Sequence, residues 1–376
     1  MDVPTVKINS LGLKNLIRVI FEHEPVLKEF GAIKIQLDTD CTLALKKRKN
    51  SPTGTTIQQI MRVSHDEPIY SVHKVEDVNV CAEERSPTTN EERFWSSLSN
   101  LDHKFYRSSV SILPHKTLFY QKWHRKYFAI HSVPRQSLLK LGGNEVLNQF
   151  IPCLTRAHGP GAIFPLATAP QHLSSLIYHH QGGARHWYII PAYERESLKK
   201  IIQRQNPANC LEHHQLLVDP GVLDKYRIRY HRIVQYPNEF VVLSAGTLTQ
   251  SFTEDASWNE SVAFALPSWI EDGHANFRDT SCQCNAKPFL TTKTIDVSLF
   301  KSELIQKYID KYLNAADNDN ASVTESKSSI RENFTSHSTS VEIFNNGATV
   351  ISPMIRFFNQ IHSFSRICLY GNHLLK

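Results

Sequence analysis

Between about residues 160 and 270 the chain is a succession of short apolar runs: Leu176-Ile177-Tyr178, Trp187-Tyr188-Ile189-Ile190, Phe240-Val241-Val242-Leu243 and Val262-Ala263-Phe264-Ala265-Leu266. Turns containing Pro and Gly separate them, along with one helical stretch from Glu194 to Gln203. Such runs are too short for helices and too apolar for loops. Many short strands with few helices must close or stack their sheets to bury that surface. The stretch therefore predicts a jelly-roll barrel or sandwich, mainly β with flanking helices.

The flanks read differently. In residues 11–30, Leu13, Leu16, Ile17 and Ile20 fall at helical spacing, and Val26, Leu27 and Phe30 follow Pro25. This predicts two short helices, the second starting near Pro25 and ended by Gly31. Ala32 to Leu37 then alternates like a strand entering a sheet. Lys46 to Gly54 reads as an exposed basic loop, with a nuclear-import or phosphate-contacting patch as the other reading. Glu83 to Asn90 reads as a second linker, and the aromatics that recur from Phe94-Trp95 to Phe128 need a core to bury them. After Asp296, the residues Leu299, Leu304, Ile305, Tyr308, Ile309 and Tyr312 predict a packed helix presenting one apolar face. Residues 314–376 open with Asn, Asp, Ser, Thr and charge, a composition that does not bury enough apolar surface to order itself.

With 41% hydrophobic and 21% charged residues the chain is globular in composition. It has no apolar run long enough for a membrane helix, and its N-terminus lacks the pattern of a secretory signal, so no membrane partner is expected. Seven cysteines without an export signal argue for a reducing compartment and metal use rather than a disulfide framework. A net charge of +6 over 376 residues permits weak, non-specific attraction to nucleic acid. No Gly-rich phosphate loop, Gly-x-Ser-x-Gly elbow or HExxH helix is present.

The segment Tyr178-His179-His180-Gln181-Gly182-Gly183-Ala184-Arg185-His186-Trp187-Tyr188-Ile189-Ile190-Pro191 resembles the JmjC domain of Jumonji histone lysine demethylases, a cupin-like double-stranded β-helix. Val218 to Leu223, Asn238 to Val242, Glu260 to Ala265 and Trp269-Ile270 continue the resemblance in order and spacing. Upstream, Phe30 to Ile35 looks like a JmjN element, and Ile57 to Ile60 and Phe94-Trp95 fall where JmjN/JmjC proteins have similar residues. The organisation expected from this is a JmjN-like element at 1–50, a linker and mixed α/β region packing on the barrel at 51–130, and the barrel at 131–275. A zinc-ligand segment with a C-terminal helix follows at 276–313, then a low-complexity, largely disordered tail at 314–376.

The resemblance implies a ferrous ion held by two imidazoles and one carboxylate, beside 2-oxoglutarate. A facial set of that kind is strict about donor atoms. Counting without gaps from Trp187-Tyr188 puts the His-x-Asp/Glu pair on Ala167 and Ala169, and counting from Asn238-Glu239-Phe240 puts the distal histidine on Thr249. A methyl group donates no lone pair, so neither iron nor 2-oxoglutarate is expected to bind. The lysine that holds the far carboxylate of 2-oxoglutarate becomes Arg185, its assisting asparagine becomes Ile177, and a tyrosine falls near Leu154. Ser261 is kept beside Val262 and Ala263. His158, His172, His179, His180 and His186 lie nearby, either as packing and surface histidines or as rebuilt ligands; His179 and His180, being adjacent on a strand, must face opposite ways. The only His-x-Glu, His65-Asp66-Glu67, stands beside Pro68 and reads as a turn.

The resemblance also implies a structural zinc joining Cys210 and His213 to Cys282 and Cys284, with His214 as the alternative imidazole. Thiolates and a neutral imidazole suit a closed tetrahedral zinc site. The expected function is that of a catalytically inactive, nuclear pseudo-demethylase that binds a histone tail or a chromatin regulatory protein. The alternatives are an active Fe(II)/2-oxoglutarate-dependent demethylase with displaced ligands, and a decaying duplicate without function.

Overall fold

Pro25 and Gly31 bracket the helix that leads into the barrel. Proline stands in the first turn, where no N–H is needed, and Gly31 ends the helix in the left-handed region at φ 72°. A Cβ at Gly31 would stand 3.1 Å from Ile189 Cγ2 and 3.2 Å from Thr247 Oγ1. The computed structural model describes residues 3–46, 57–75, 80–84, 90–99, 102–120, 128–205, 211, 215–276 and 293–314. The expected disordered tail lies outside the described residues, apart from its first residue.

In chain order the strands are β1 (Thr5–Ile8), β2 (Ala32–Leu37), β3 (Ile57–Arg62), β4 (Ile69–Val75), β5 (His103–Tyr106), β6 (Val110–Pro114), β7 (Cys153–Ala157) and β8 (Ile163–Ala167). They continue with β9 (Ser174–Gly182), β10 (Arg185–Ile190), β11 (Leu216–Val218), β12 (His231–Gln235), β13 (Glu239–Leu243), β14 (Leu248–Thr253) and β15 (Ser257–Phe264). The helices are α1 (Ser10–Lys14), α2 (Leu16–Glu22), α3 (Glu24–Phe30), α4 (Glu91–Ser99), α5 (Val133–Gln136) and α6 (Gly143–Leu147). After them come α7 (Arg195–Gln205), α8 (Pro220–Lys225), α9 (Ser268–Glu271) and α10 (Ser302–Tyr308).

A major sheet runs β1-β2-β13-β9-β15-β7-β6 and a minor sheet runs β12-β10-β14-β8. Apart from the parallel β1–β2 pair, these neighbours are antiparallel. The two sheets close over one interior, where Ala32, Ile177, Val241 and Leu243 of the major sheet meet Trp187, Ile189 and Ile233 of the minor sheet. This is the expected cupin-like jelly roll. The intervening residues of the same strands, Ile33, Leu176, Tyr178, Phe240 and Val242, turn outward and are buried again under α1–α3, α5, α6 and α10. Strands buried on both faces read as continuous apolar runs, which is why alternation was faint in the sequence.

A third sheet, β11-β4-β3-β5, covers the outer face of the minor sheet. Ile60, Tyr70 and Val72 pack there with Phe94 and Trp95 of α4 against Ile163, Tyr188 and Phe252. Phe94 stacks on Phe252 with ring centroids 3.8 Å apart, and Trp95 Nε1–H donates to the Tyr188 hydroxyl. Gly182 is needed where the chain crosses from major to minor sheet: its φ is +108°, and an added Cβ would lie 2.1 Å from the Ala256 carbonyl oxygen.

Three elements differ from the sequence expectation. Residues 10–30 form three helices rather than two, because Asn15 leaves helical geometry at φ −102°, ψ 32°. The helix expected from Glu194 runs from Arg195 to Gln205. The C-terminal helix does not present one continuous apolar face: Leu299 lies in a separate 3-10 turn before α10 and Leu304 on its exposed side, 41 and 42% exposed, and α10 gives way to a π turn at Ile309–Leu313 in which Leu313 is buried while Tyr312 is 45% exposed. No helix among the described residues is long and apolar enough to cross a membrane.

Candidate functional site

Ala167 ends β8 and stands directly opposite Thr249 of β14. Thr249 also faces Ile189 across the β10–β14 ladder. Alternation along β14 puts Phe252 outward, in the cluster under the third sheet, and turns Thr249 with Ser251 toward the interior. The β8–β14 ladder has a bulge between Thr249 and Ser251, which tilts the end of β8 at this rim. Ala169 lies two residues past β8 with φ −62° and ψ 149°, capping the 3-10 turn Pro170–His172. Two methyl groups and one hydroxyl therefore occupy these three positions. That donor set does not fit ferrous iron, which takes imidazole nitrogen and carboxylate oxygen in sites of this kind.

Deeper in the barrel, Arg185 opens β10 and is 6% exposed. Its guanidinium lies between two rings, 3.5 Å from the Phe164 centroid and 3.7 Å from that of Trp187, and Nε–H donates to Ser251 Oγ at 2.9 Å. Burial pushes its pKa well below the usual arginine range. Among the described residues it has no carboxylate partner. Ile177 faces the same interior beside Trp187 and offers only carbon. Leu154 of β7 is buried opposite Glu260, and Ser261 stands opposite Ile177 on β15. Trp187 Nε1–H donates to Gln235 Oε1 at 3.1 Å, and Gln235 Nε2 donates to the carbonyls of Ile177 and Glu239, tying the two sheets together.

Residues 158–264, which run from the end of β7 to the end of β15, match the family model for the JmjC domain, hydroxylase. This segment is a JmjC domain. The chain is 31% identical over 129 residues to Protein Jumonji of Gallus gallus, a match covering 33% of this chain and 10% of that protein. It is 28% identical over 127 residues to Probable lysine-specific demethylase 4F of Homo sapiens, covering 32% and 19%. It is 25% identical over 210 residues to Lid2 complex component lid2 of Schizosaccharomyces pombe, covering 49% and 13%. The chain thus spans less than a fifth of the length of each of these curated relatives.

The histidines of the JmjC domain are held in separate places. His179 and His180 do point to opposite faces. His179 is fully buried on the inner side of β9, its Nε2–H donating to the Gln181 carbonyl while Nδ1 has no hydrogen-bond partner among the described residues. Burial, then the charge of Arg185, lowers its pKa to about 4. Its cross-strand neighbour Asn259 donates to Ser257 Oγ, and its own Oδ1 has no hydrogen-bond partner among the described residues. His180 lies on the outer side, 2.9 Å from Glu260, a carboxyl with no exposure that also accepts from the Leu118 N–H. His186 pairs with Glu254 at 2.8 Å and stacks on Phe252. His158 is 2.7 Å from Ser111 Oγ, and burial lowers its pKa to about 4. His172 follows Ala169 through the 3-10 turn, not a continuing strand; burial lowers its pKa to about 3.

Among the described residues no three His, Cys, Asp or Glu side chains are grouped to hold a metal. His65, Asp66 and Glu67 do lie in a turn, where Glu67 accepts from Lys225 Nζ at 2.5 Å and from the Tyr226 hydroxyl at 2.8 Å. The expected zinc ligands Cys210, His213, Cys282 and Cys284, with His214, lie outside the described residues. The His179–Asn259 pair and the His180–Glu260 pair were not assigned from sequence. Each joins residues about 80 apart in the chain, and only the β9–β15 register brings them together.

Proposed function

We propose that this chain is a JmjC-domain protein without oxygenase chemistry, acting in the nucleus as a binding module for a histone tail or a chromatin-regulatory protein. The observation that carries the reading is the pairing of Ala167 with Thr249. Positions counted from two separate motifs are cross-strand neighbours, near enough for two ligands to share one ion, and neither side chain is an iron donor. Arg185 keeps a positive charge in the interior, but its planar fork is engaged by Phe164, Trp187 and Ser251, and Ile177 offers no hydrogen bond to a co-substrate. Support for a chromatin setting comes from relatives named Jumonji, lysine-specific demethylase and Lid2 complex component. The structural zinc belongs to this proposal, with Cys210, His213, Cys282 and Cys284 as its ligands.

Elemental analysis of purified protein, before and after anaerobic loading with ferrous iron and 2-oxoglutarate, tests it. About one zinc per chain and no retained iron is the expected result. Stoichiometric iron, with demethylation of a methylated histone peptide that stops when 2-oxoglutarate is withheld, would overturn it. That outcome would establish the second reading, an active Fe(II)/2-oxoglutarate demethylase with displaced ligands. The feature favouring the second reading is His179 Nδ1 in the barrel interior, which has no hydrogen-bond partner among the described residues.

A further inference from the structure

Away from the barrel mouth, the N-terminal helices, α5 and the C-terminal π turn enclose a cleft of about 220 Å³. Its lining carries four cations, Lys14, Arg18, Arg135 and Lys140, and no carboxylate. Arg18 is paired with Glu22 outside the cleft at 3.1 Å; among the described residues Lys14, Arg135 and Lys140 have no acidic partner. Lys140 lies over the Tyr312 ring, 2.9 Å from its centroid. A hydrogen bond from Lys140, then the charges of Lys140 and the adjacent Lys311, hold the Tyr312 phenol below its usual range. Asn15 and Gln136 add amide donors to the same lining.

We propose that this cleft binds the phosphate backbone of duplex nucleic acid. Four cations from two separate chain segments, Lys14 and Arg135 among them on exposed side chains, exceed what one phosphorylated side chain uses. An open rim of long basic side chains with amide donors suits consecutive phosphates of an extended ligand and reads no base sequence. The net charge of +6 favours approach of a polyanion to the same molecule.

The test uses the full-length protein and a fluorescein-labelled duplex of about 20 base pairs, titrated by anisotropy between ~50 and ~200 mM salt. With three unpaired cations engaged, the slope of log K against log salt should be about −3, at roughly 0.9 per phosphate neutralised. Lys14→Ala and Arg135→Ala, both at exposed positions, should each weaken binding several-fold and flatten the slope by about 0.9. Their melting temperatures should not move. An unchanged slope and affinity in the double variant overturns the proposal. So does tighter binding of inorganic pyrophosphate or a phosphoserine peptide than of the duplex, since either would assign the cleft to a different ligand.

Discussion

Ala167 and Thr249 are cross-strand partners at the rim of the barrel, one at the end of β8 and the other on the inward face of β14. Residues directly opposite in an antiparallel ladder hold their Cβ atoms about 5 Å apart, so two imidazoles placed there would share one ion.

Restoring donors at these positions should therefore restore metal binding. The triple variant Ala167→His, Ala169→Glu, Thr249→His is expected to retain close to one ferrous or cobaltous ion per chain, read by elemental analysis and by the cobalt absorption spectrum. The unsubstituted chain and Thr249→His alone should retain none. A triple variant that folds, melts cooperatively and still holds no metal would show that the three positions do not converge.

Arg185 carries a charge into the interior with no carboxylate partner among the described residues. Replacing an imperfectly paired buried ion by an apolar chain of similar length is often neutral or stabilising, by roughly 1 to 4 kcal/mol. Arg185→Met should be at least as stable as the parent in urea denaturation. Arg185→Ala, which removes the whole side chain and the contacts it makes with Phe164 and Trp187, should lose about 2 kcal/mol. Equal destabilisation by both variants would mean that the charge itself contributes to folding.

Acid should weaken the fold before its carboxylates titrate. His179 and His172 have pKa values lowered from 6.5 to about 4 and about 3, so between these values the unfolded chain binds protons that the folded chain does not. Their contribution is complete above about pH 6.5 and declines as pH falls toward 4, at about 1.4 kcal/mol per pH unit for each histidine at most. Urea midpoints measured from about pH 7.5 to about pH 5 should fall, and His179→Gln should make the fall shallower. A midpoint independent of pH over that window would contradict the assignment.

The His180–Glu260 pair is a buried ionisable contact, and breaking it from one side is costly. Glu260 has no exposure, and one of its oxygens has no hydrogen-bond partner among the described residues. His180→Ala should destabilise by about 3 to 5 kcal/mol by leaving that carboxyl further short of partners. The double variant His180→Leu, Glu260→Leu should recover a large part of the loss, measured by chemical denaturation as a double-mutant cycle.

Local chemistry was legible in the chain where neighbours in sequence decide the outcome. Gly31 as a helix terminator, Ala32 to Leu37 as a strand, and the opposed faces of His179 and His180 all follow from backbone geometry within a few residues. The π turn after Tyr308 was not legible, because a one-residue slip in helical register is set by packing of Leu313 rather than by propensity. Nor was the third sheet: Ile57–Arg62 and Ile69–Val75 carry polar residues that are nevertheless covered, with Gln58 and Ser71 buried, so the apolar period is broken. The candidate site divides in the same way. Ungapped counting reached Ala167 and Thr249, whereas the basic cleft gathers Lys14, Arg135 and Tyr312 from distant parts of the chain and leaves no local trace.

The position of β2 inside the major sheet governs how this protein can be dissected. The segment 158–264 ends β13 on a side where β2 pairs residue for residue from Glu239↔Gln36 to Leu243↔Ala32, and leaves β15 without β7. An excised fragment with those boundaries would carry two raw hydrogen-bonding edges and an uncovered face of Tyr178, Phe240 and Phe264, the makings of an aggregate rather than a minimal domain. Truncation, recombination or duplication that cuts between the N-terminal helices and the barrel therefore removes a wall of the barrel, and the heritable unit is the longer stretch that carries both.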